Sequence, residues 1–330
     1  MTSRRALVVI GSATDERDFG LASGHRIANA LDGRGWGVTV QDAADLQAVV
    51  AHLRRANTLD LVVPVGFGAG IEDGTVYTLA RAHGVPCAGP APATGVICLD
   101  KRLFHTVVNG LFDPNTRVRV PETRELLAGM SRVSMYRRIR ELNPPILVKN
   151  TFGGSSIGLS VCTSRAEAVA VAGDRLPKSG SVLAQELVAP SREFSVTILD
   201  RDRGPKVLPV VELMRDTVMS YQDKFGLASA SHHVVPARLS SAARRRVVDT
   251  CLRVHAAIRA CGLTRYDLLI AGRDLFLLEA NAIPGLLPSS IAVHAAAAAG
   301  LTFEDLAEAY AMSAFIQRVE PRATSQPAVK

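Results

Sequence analysis

The sequence predicts an α/β chain that begins with a parallel sheet and continues in antiparallel hairpins. Three observations carry this. Strand-like and helix-like segments alternate over residues 5–95. Two strand-like runs in residues 145–163 flank a loop made almost wholly of Gly and Ser. Residues 264–271 and 275–281 read as two strands joined by a turn of Gly272, Arg273 and Asp274.

Residues 5–10 (RALVVI) and 36–41 (WGVTVQ) are expected strands around a helical stretch over 22–34. Residues 45–56 (DLQAVVAHLRRA) are helical, and 59–65 (LDLVVPV) form a buried strand. Gly66, Gly68, Gly70 and Gly74 follow, then a helix. Ile71 stands where a dinucleotide fingerprint needs its third glycine, which argues against a nicotinamide site. Such sheets bind ligands beyond the carboxyl ends of their strands. Glu16 and Glu72 fall on loops of that kind at one edge, each with the alternative of being a mere helix cap.

Asp100-Lys101 opens a helix over 102–110, residues 114–121 are a linker with a short strand, and an Arg-rich helix lies near 134–142. The Gly/Ser loop holding Ser155 and Ser156 lacks the Gly-Lys-Ser/Thr of a P-loop. It can still lay backbone N–H groups over phosphates, with Lys149 reaching an α- or β-phosphate; an ordinary hairpin is the alternative. The next strand runs to Gln185, Glu186, Leu187 and Val188, breaks at Pro190 and resumes at Glu193. Its backbone suits adenine, and Glu193 the ribose hydroxyls. Residues 207–213 are a strand. Residues 214–237 lack periodicity and carry Lys224, His232 and His233, the histidines read as solvated. Residues 240–261 and 302–318 are long helices.

The chemistry concentrates in residues 275–285, LFLLEANAIPG. On a strand Glu279 and Asn281 leave one face, about 7 Å apart. A hairpin turning near Gly272 puts Asp267 almost opposite Glu279, with Arg265 on the same face. Three oxygen-bearing side chains there suit a hard divalent cation that also holds phosphates. The alternative, a surface hairpin with solvated acids, fits poorly with a carboxylate inside an apolar strand.

The 330 residues allow two or three domains. At 48% hydrophobic and 21% charged, with no apolar run of membrane length, the chain is expected to be soluble. The net charge of +7 shows no nucleic-acid footprint, since Arg244 to Arg246 read as the solvated face of a helix. Anionic substrates account for the excess. Five cysteines without a C-x-x-C pair argue against disulfides and zinc, and for a reducing cytoplasm.

With these residues in order, the chain resembles the ATP-grasp enzymes, and most of all the D-alanine–D-alanine ligases. DER, EDGT, DK, LVKNTFGGSSIG, REFSV, DKF with VPA, RYD and LLEANAIPG follow the family's sequence over about residues 6–318. The resemblance implies three domains, expected here as 1–95 (N-terminal, substrate side), 96–188 (central lid) and 189–330 (C-terminal, catalytic, with a flexible loop at 214–237). It implies ATP between the last two. Lys101 and Lys149 would contact its phosphates, the backbone of Glu186, Leu187 and Val188 beside Gln185 its adenine, and Glu193 its ribose. Asp267, Glu279 and Asn281 would bind two Mg2+ ions, with Mn2+ as a substitute. Arg265 would stabilise charge at the reacting carboxyl, and Lys224 would reach the transferred phosphoryl group. Glu16 would take the first substrate's ammonium, Ser155 would link the glycine loop to it, and Ser290, beside Gly285, would take the second substrate's carboxylate. A homodimer is expected.

Departures from the family lie on the substrate side. Gly66-Phe67 stands where a His is usual, Phe225 where a Tyr follows the lid lysine, and Gly153 where the loop carries an acid. The leading expectation is an ATP-dependent ligase joining two small amino acids through an acylphosphate, D-alanine with D-alanine first among pairs. The alternatives are a ligase of specialised metabolism making another amide or ester, and a nucleotide-binding module without turnover.

Overall fold

The computed structural model describes residues 4–11, 16–153, 158–214 and 233–316. Among them fourteen strands form three sheets. The N-terminal part is β1 (Arg5–Ile10), α1 (Arg17–Asp32), β2 (Gly37–Asp42), α2 (Leu46–Leu53), β3 (Leu61–Val65) and α3 (Thr75–Ala82). Its sheet is parallel, in the order β2-β1-β3. β1 and β3 are apolar on both faces because helices cover both. α1 begins at Arg17, ahead of the expected 22–34. Gly20 and Gly24 hide its start: they read as breakers but serve close packing. A Cβ on Gly24 would collide with Ile10, and one on Gly20 would stand 3.3 Å from the backbone of Gly11 and Gly66.

α4 (Pro92–Leu99), α5 (Lys101–Leu111) and β4 (Val118–Arg119) lead to a second part. It comprises β5 (Thr123–Leu127), α6 (Arg132–Arg138), β6 (Ile146–Asn150), β7 (Ser160–Cys162), α7 (Arg165–Ser179) and β8 (Ser181–Glu186). The strands form an antiparallel sheet, β5-β8-β6-β7. Its buried cluster, from Leu126 to Ala184, draws on no residue outside this part. α7 carries little helical signal in the sequence, because its Ala-Val repeat has little amphipathic contrast. Its start was legible, because the Ser164 side chain accepts the Glu167 N–H.

β9 (Arg192–Arg201), β10 (Gly204–Val207), β11 (Val211–Leu213), β12 (His233–Val234), α8 (Ser241–Ala257), β13 (Leu263–Ala271), β14 (Asp274–Asn281), α9 (Ile291–Ala298) and α10 (Phe303–Met312) complete the fold. The large sheet runs β12-β11-β9-β13-β14-β4, with β10 also beside β9. The strand expected over 207–213 is two, because Pro209 offers no N–H to a ladder. β10 pairs with residues 198–201 and β11 with residues 193–195. The helix expected over 240–261 ends at Ala257, shortly before Arg259 turns left-handed at φ 52°. That expected over 302–318 ends at Met312. No helix among the described residues is long and apolar enough to cross a membrane.

Candidate active site

The site is built on the β13–β14 hairpin. Gly272, at φ 57°, and Arg273 make the turn. Asp267 pairs with Glu279, as the sequence leads us to expect, and Arg265 pairs with Asn281. Plain alternation, however, would also put Leu277 on the face of Glu279. The register shifts between Asp267 and Leu268, so that Leu277 pairs with Leu268 and Leu278 is the extra residue. This β-bulge reverses the phase of the strand. Leu275 and Leu277 join the core with Leu268 and Tyr266, while Glu279 and Asn281 face Asp267 and Arg265.

His105 on α5 secures the bulge. Its Nε2 lies 3.1 Å from the Leu278 carbonyl. Burial, with the charges of Lys149 and Lys101 behind it, pushes the imidazole pKa down to about 4. At neutral pH the ring is therefore uncharged, and Nε2–H donates to the carbonyl.

Each hairpin carboxylate meets a cation. Arg265 reaches Asp267 by three contacts: Nε at 3.0 Å from Oδ1 and 3.2 Å from Oδ2, and Nη2 at 2.8 Å from Oδ2. Ser195 Oγ donates to Asp267 Oδ1 at 2.7 Å, and Asn281 Nδ2 stands 3.5 Å from Oδ2. Burial works against the Arg265 charge, but Asp267, Glu279 and Glu193 more than offset it, and its pKa rises. Lys101, at the start of α5, places Nζ 3.5 Å from Glu279 Oε2 and also donates to the Gly153 carbonyl. Asp100 caps that helix through the N–H groups of Arg102 and Leu103. Asp267, Glu279 and Asn281 offer only oxygen as ligand atoms, beside cationic side chains, and this donor set fits a hard divalent cation.

On the nucleotide side Lys149 lies on β6, paired with Leu183, and its charge is felt at His105. Gln185 is buried and donates from Nε2 to Thr123 Oγ1 at 2.8 Å. The Glu186 N–H is already given to the Glu122 carbonyl at 2.9 Å. Leu187 and Val188 lie past the end of β8, on the stretch that crosses to β9. Glu193 is buried on β9, two residues from Ser195.

The N-terminal edge brings two more carboxylates. Glu16 is 7% exposed, and its side chain does not cap α1. Glu72 is no cap of α3, whose N-cap is Gly74. Its Oε2 instead accepts the Gly68 N–H at 2.6 Å. Burial raises the Glu72 pKa to about 8, with Glu16 adding to the rise while Lys101 and Arg265 oppose it. Glu72 thus lies in the field of Lys101 and Arg265, with Glu16 beside it. Ser290 Oγ accepts the Leu287 N–H at 3.0 Å, and a Cβ on Gly285 would stand 3.0 Å from that oxygen. α1 holds this loop, because Arg26 donates to the Leu286 carbonyl and Ser23 Oγ accepts the Leu286 N–H at 3.4 Å.

Ser155, Ser156, Lys224, Phe225 and His232 lie outside the described residues. His233 corrects the reading of solvated histidines: it is half-buried, with Nδ1 3.0 Å from His294 Nδ1 on α9. That partner is 61 positions away, beyond any spacing rule. Sequence reasoning also passed over Ser195 and His105. A polar residue at every second position of Glu193-Phe194-Ser195 could have exposed the first; nothing local marks the second.

A parallel sheet beside a four-stranded antiparallel sheet and a large, mainly antiparallel sheet, with Lys101 set against Glu279 of the hairpin, defines an ATP-dependent ligase of the ATP-grasp fold. Solved structures share it. A D-alanine–D-alanine ligase from Bacillus anthracis superposes with a TM-score of 0.77 at 19% identity, covering 95% of this chain and 97% of that one. The VanG D-Ala:D-Ser ligase from Enterococcus faecalis gives 0.76 at 19% identity, over 95% and 100%. Residues 125–310 match the family model described as D-ala D-ala ligase C-terminus. A D-alanine–D-alanine ligase from Desulforudis audaxviator is 32% identical over 92% of this chain and 96% of its own length. One from Thermotoga petrophila is 29% identical over 95% and 98%. The chain belongs to the D-alanine–D-alanine ligase family.

Proposed function

We propose that the chain joins two D-alanine molecules into a dipeptide, with ATP converted to ADP and phosphate. The observation that carries the reading is the hairpin cluster of Asp267, Glu279, Asn281 and Arg265, faced by Lys101. Asp267, Glu279 and Asn281 would hold Mg2+. Bound there, the metal would neutralise phosphate charge and orient the γ-phosphoryl group.

The chain's own groups do the rest. The first substrate's carboxylate oxygen attacks the γ-phosphorus, the bond to the β-phosphate oxygen breaks, and ADP leaves. Lys101 and Lys149 neutralise phosphate oxygens, and Arg265 stabilises charge at the reacting carboxyl. The second substrate's neutral amine then attacks the acyl carbon, phosphate departs and the amine loses its proton. Glu16 would orient the first ammonium group, and Ser290, beside Gly285, the second carboxylate. Glu186, Leu187 and Val188 would present backbone to adenine, with Gln185 beside it, and Glu193 would meet the ribose. Ser155, Ser156 and Lys224 keep the roles that the family resemblance implies. The division into 1–95, 96–188 and 189–330 and a homodimeric assembly belong to the same reading.

Phosphate release measured with D-alanine, D-lactate and a panel of other amino acids tests it. Turnover dominated by D-alanine is expected; turnover only with another pair would overturn the substrate assignment.

A further inference from the structure

A cleft of about 480 Å3 lies between α8 and the connection from α5 to β4. It is remote from the reacting groups, since β4 pairs with Leu275 and Phe276 at the start of β14, whereas Glu279 and Asn281 stand at its end. Phe112, Val118 and Ala242 give it an apolar wall. Arg245, Arg246 and Arg253 line it with a single acid, Asp249.

Among the described residues no carboxylate pairs with any of the three guanidinium groups. Arg246 donates to the backbone carbonyls of Arg273 at 2.7 Å, Arg117 at 2.8 Å and Thr116 at 3.3 Å. Arg253 donates to the Leu111 carbonyl at 2.7 Å and lies 4.8 Å from the centre of the Phe112 ring. Arg245 is exposed, and its side chain makes no hydrogen bond among the described residues. Carbonyls and a ring orient these cations without neutralising them. Three positive charges against one negative leave the cleft positive. Thr250 lines the cleft beside them, 5% exposed, and carries a hydroxyl.

We propose that this cleft is a binding site for a small phosphomonoester with an apolar body. A phosphate dianion matches the surplus charge and accepts hydrogen bonds from Arg245 and from the Thr250 hydroxyl. The apolar body covers Phe112 and Val118. The volume falls within the roughly 300–1,000 Å3 of small-ligand pockets. Arg246 also ties the cleft to Thr116 and Arg117, just ahead of the lid sheet, so an occupant braces the segment from which that sheet hangs.

The test is calorimetric titration of phenyl phosphate into the protein saturated with Mg2+ and a non-hydrolysable ATP analogue, which fills the nucleotide cleft. Binding at one site per chain is expected, weakened about tenfold or more by Arg245→Gln and by Thr250→Val. Both variants should keep basal turnover, since neither residue touches the reacting groups. Phenol and inorganic phosphate are the control probes, each expected to bind more weakly than phenyl phosphate. No binding of phenyl phosphate, binding unchanged in both variants, or equal binding of either control would overturn the proposal.

Discussion

Two regions of the cleft hold buried carboxylates on opposite terms. In the β13–β14 hairpin Asp267 meets Arg265 and Glu279 meets Lys101. At the N-terminal edge Glu72 accepts a backbone N–H from Gly68, and its pKa rises to about 8. Burial is common to both; the neighbours differ. The hairpin keeps negative charge in place, which the proposed binding of Mg2+ and phosphates requires. The edge keeps Glu72 protonated at neutral pH, so it offers a neutral hydrogen-bonding group beside Glu16.

The contrast can be broken at its strongest point first. Glu279→Gln should lower ligation by about 100-fold or more, because a neutral amide cannot replace a carboxylate at a cation. Phosphate release measures this, and a melting temperature close to that of the parent shows that the fold survives. Near-parental turnover would sink the metal assignment. Asp267→Asn leaves Arg265 buried without its principal counter-charge, and should cost about 3 kcal/mol in urea unfolding.

A smaller effect is expected at His105. His105→Ala frees the Leu278 carbonyl and loosens the bulge that aims Glu279. A loss of about tenfold in kcat/KM is expected, with the apparent affinity for Mg2+ weakened in parallel. An unchanged metal dependence would make His105 a packing residue only.

The other half of the comparison is sharpened by pH. A carboxyl whose native pKa is raised from 4.5 to about 8 keeps its proton while the unfolded chain gives it up. Below 4.5 both states are protonated and Glu72 costs nothing. Between 4.5 and 8 stability falls by about 1.4 kcal/mol per pH unit, and above 8 the loss levels off. Glu72→Gln should remove that slope in denaturation curves recorded from pH 5 to 8. A slope that persists would place its origin elsewhere.

Much of this was open to reading in the chain itself. The apolar runs of β1 and β3, the paired strands β6 and β7, and the pairing of Asp267 with Glu279 follow from local pattern. What escaped reading was set by tertiary contact. Gly20 and Gly24 suggest a break, and only the close approach to Ile10, Gly11 and Gly66 explains them as helix. The bulge at Leu278 leaves no mark in composition, because leucine serves either face of a strand. His105 and the pairing of His233 with His294 join residues far apart in sequence, which no spacing rule can see. Glu72 reads either as a cap or as a site residue, and what separates the two is tertiary: Gly74 is the N-cap of α3, and Glu72 turns back to the Gly68 N–H.

The shortest strand has one more consequence. β4 touches β14 through Val118 and Arg119 alone, then runs straight into the lid sheet, which shares no buried residue with the rest of the chain. On the return side, residues 187–191 cross back between β8 and β9. Beyond these two connections the sheet is held by polar contacts from α5: the Lys101 N–H donates to the Thr151 carbonyl at 3.3 Å, Lys101 Nζ to the Gly153 carbonyl, and Arg102 lies 3.4 Å from Glu125. Any displacement of Lys149 relative to Glu279 would therefore be resisted by hydrogen bonds and charge rather than by a shared hydrophobic core.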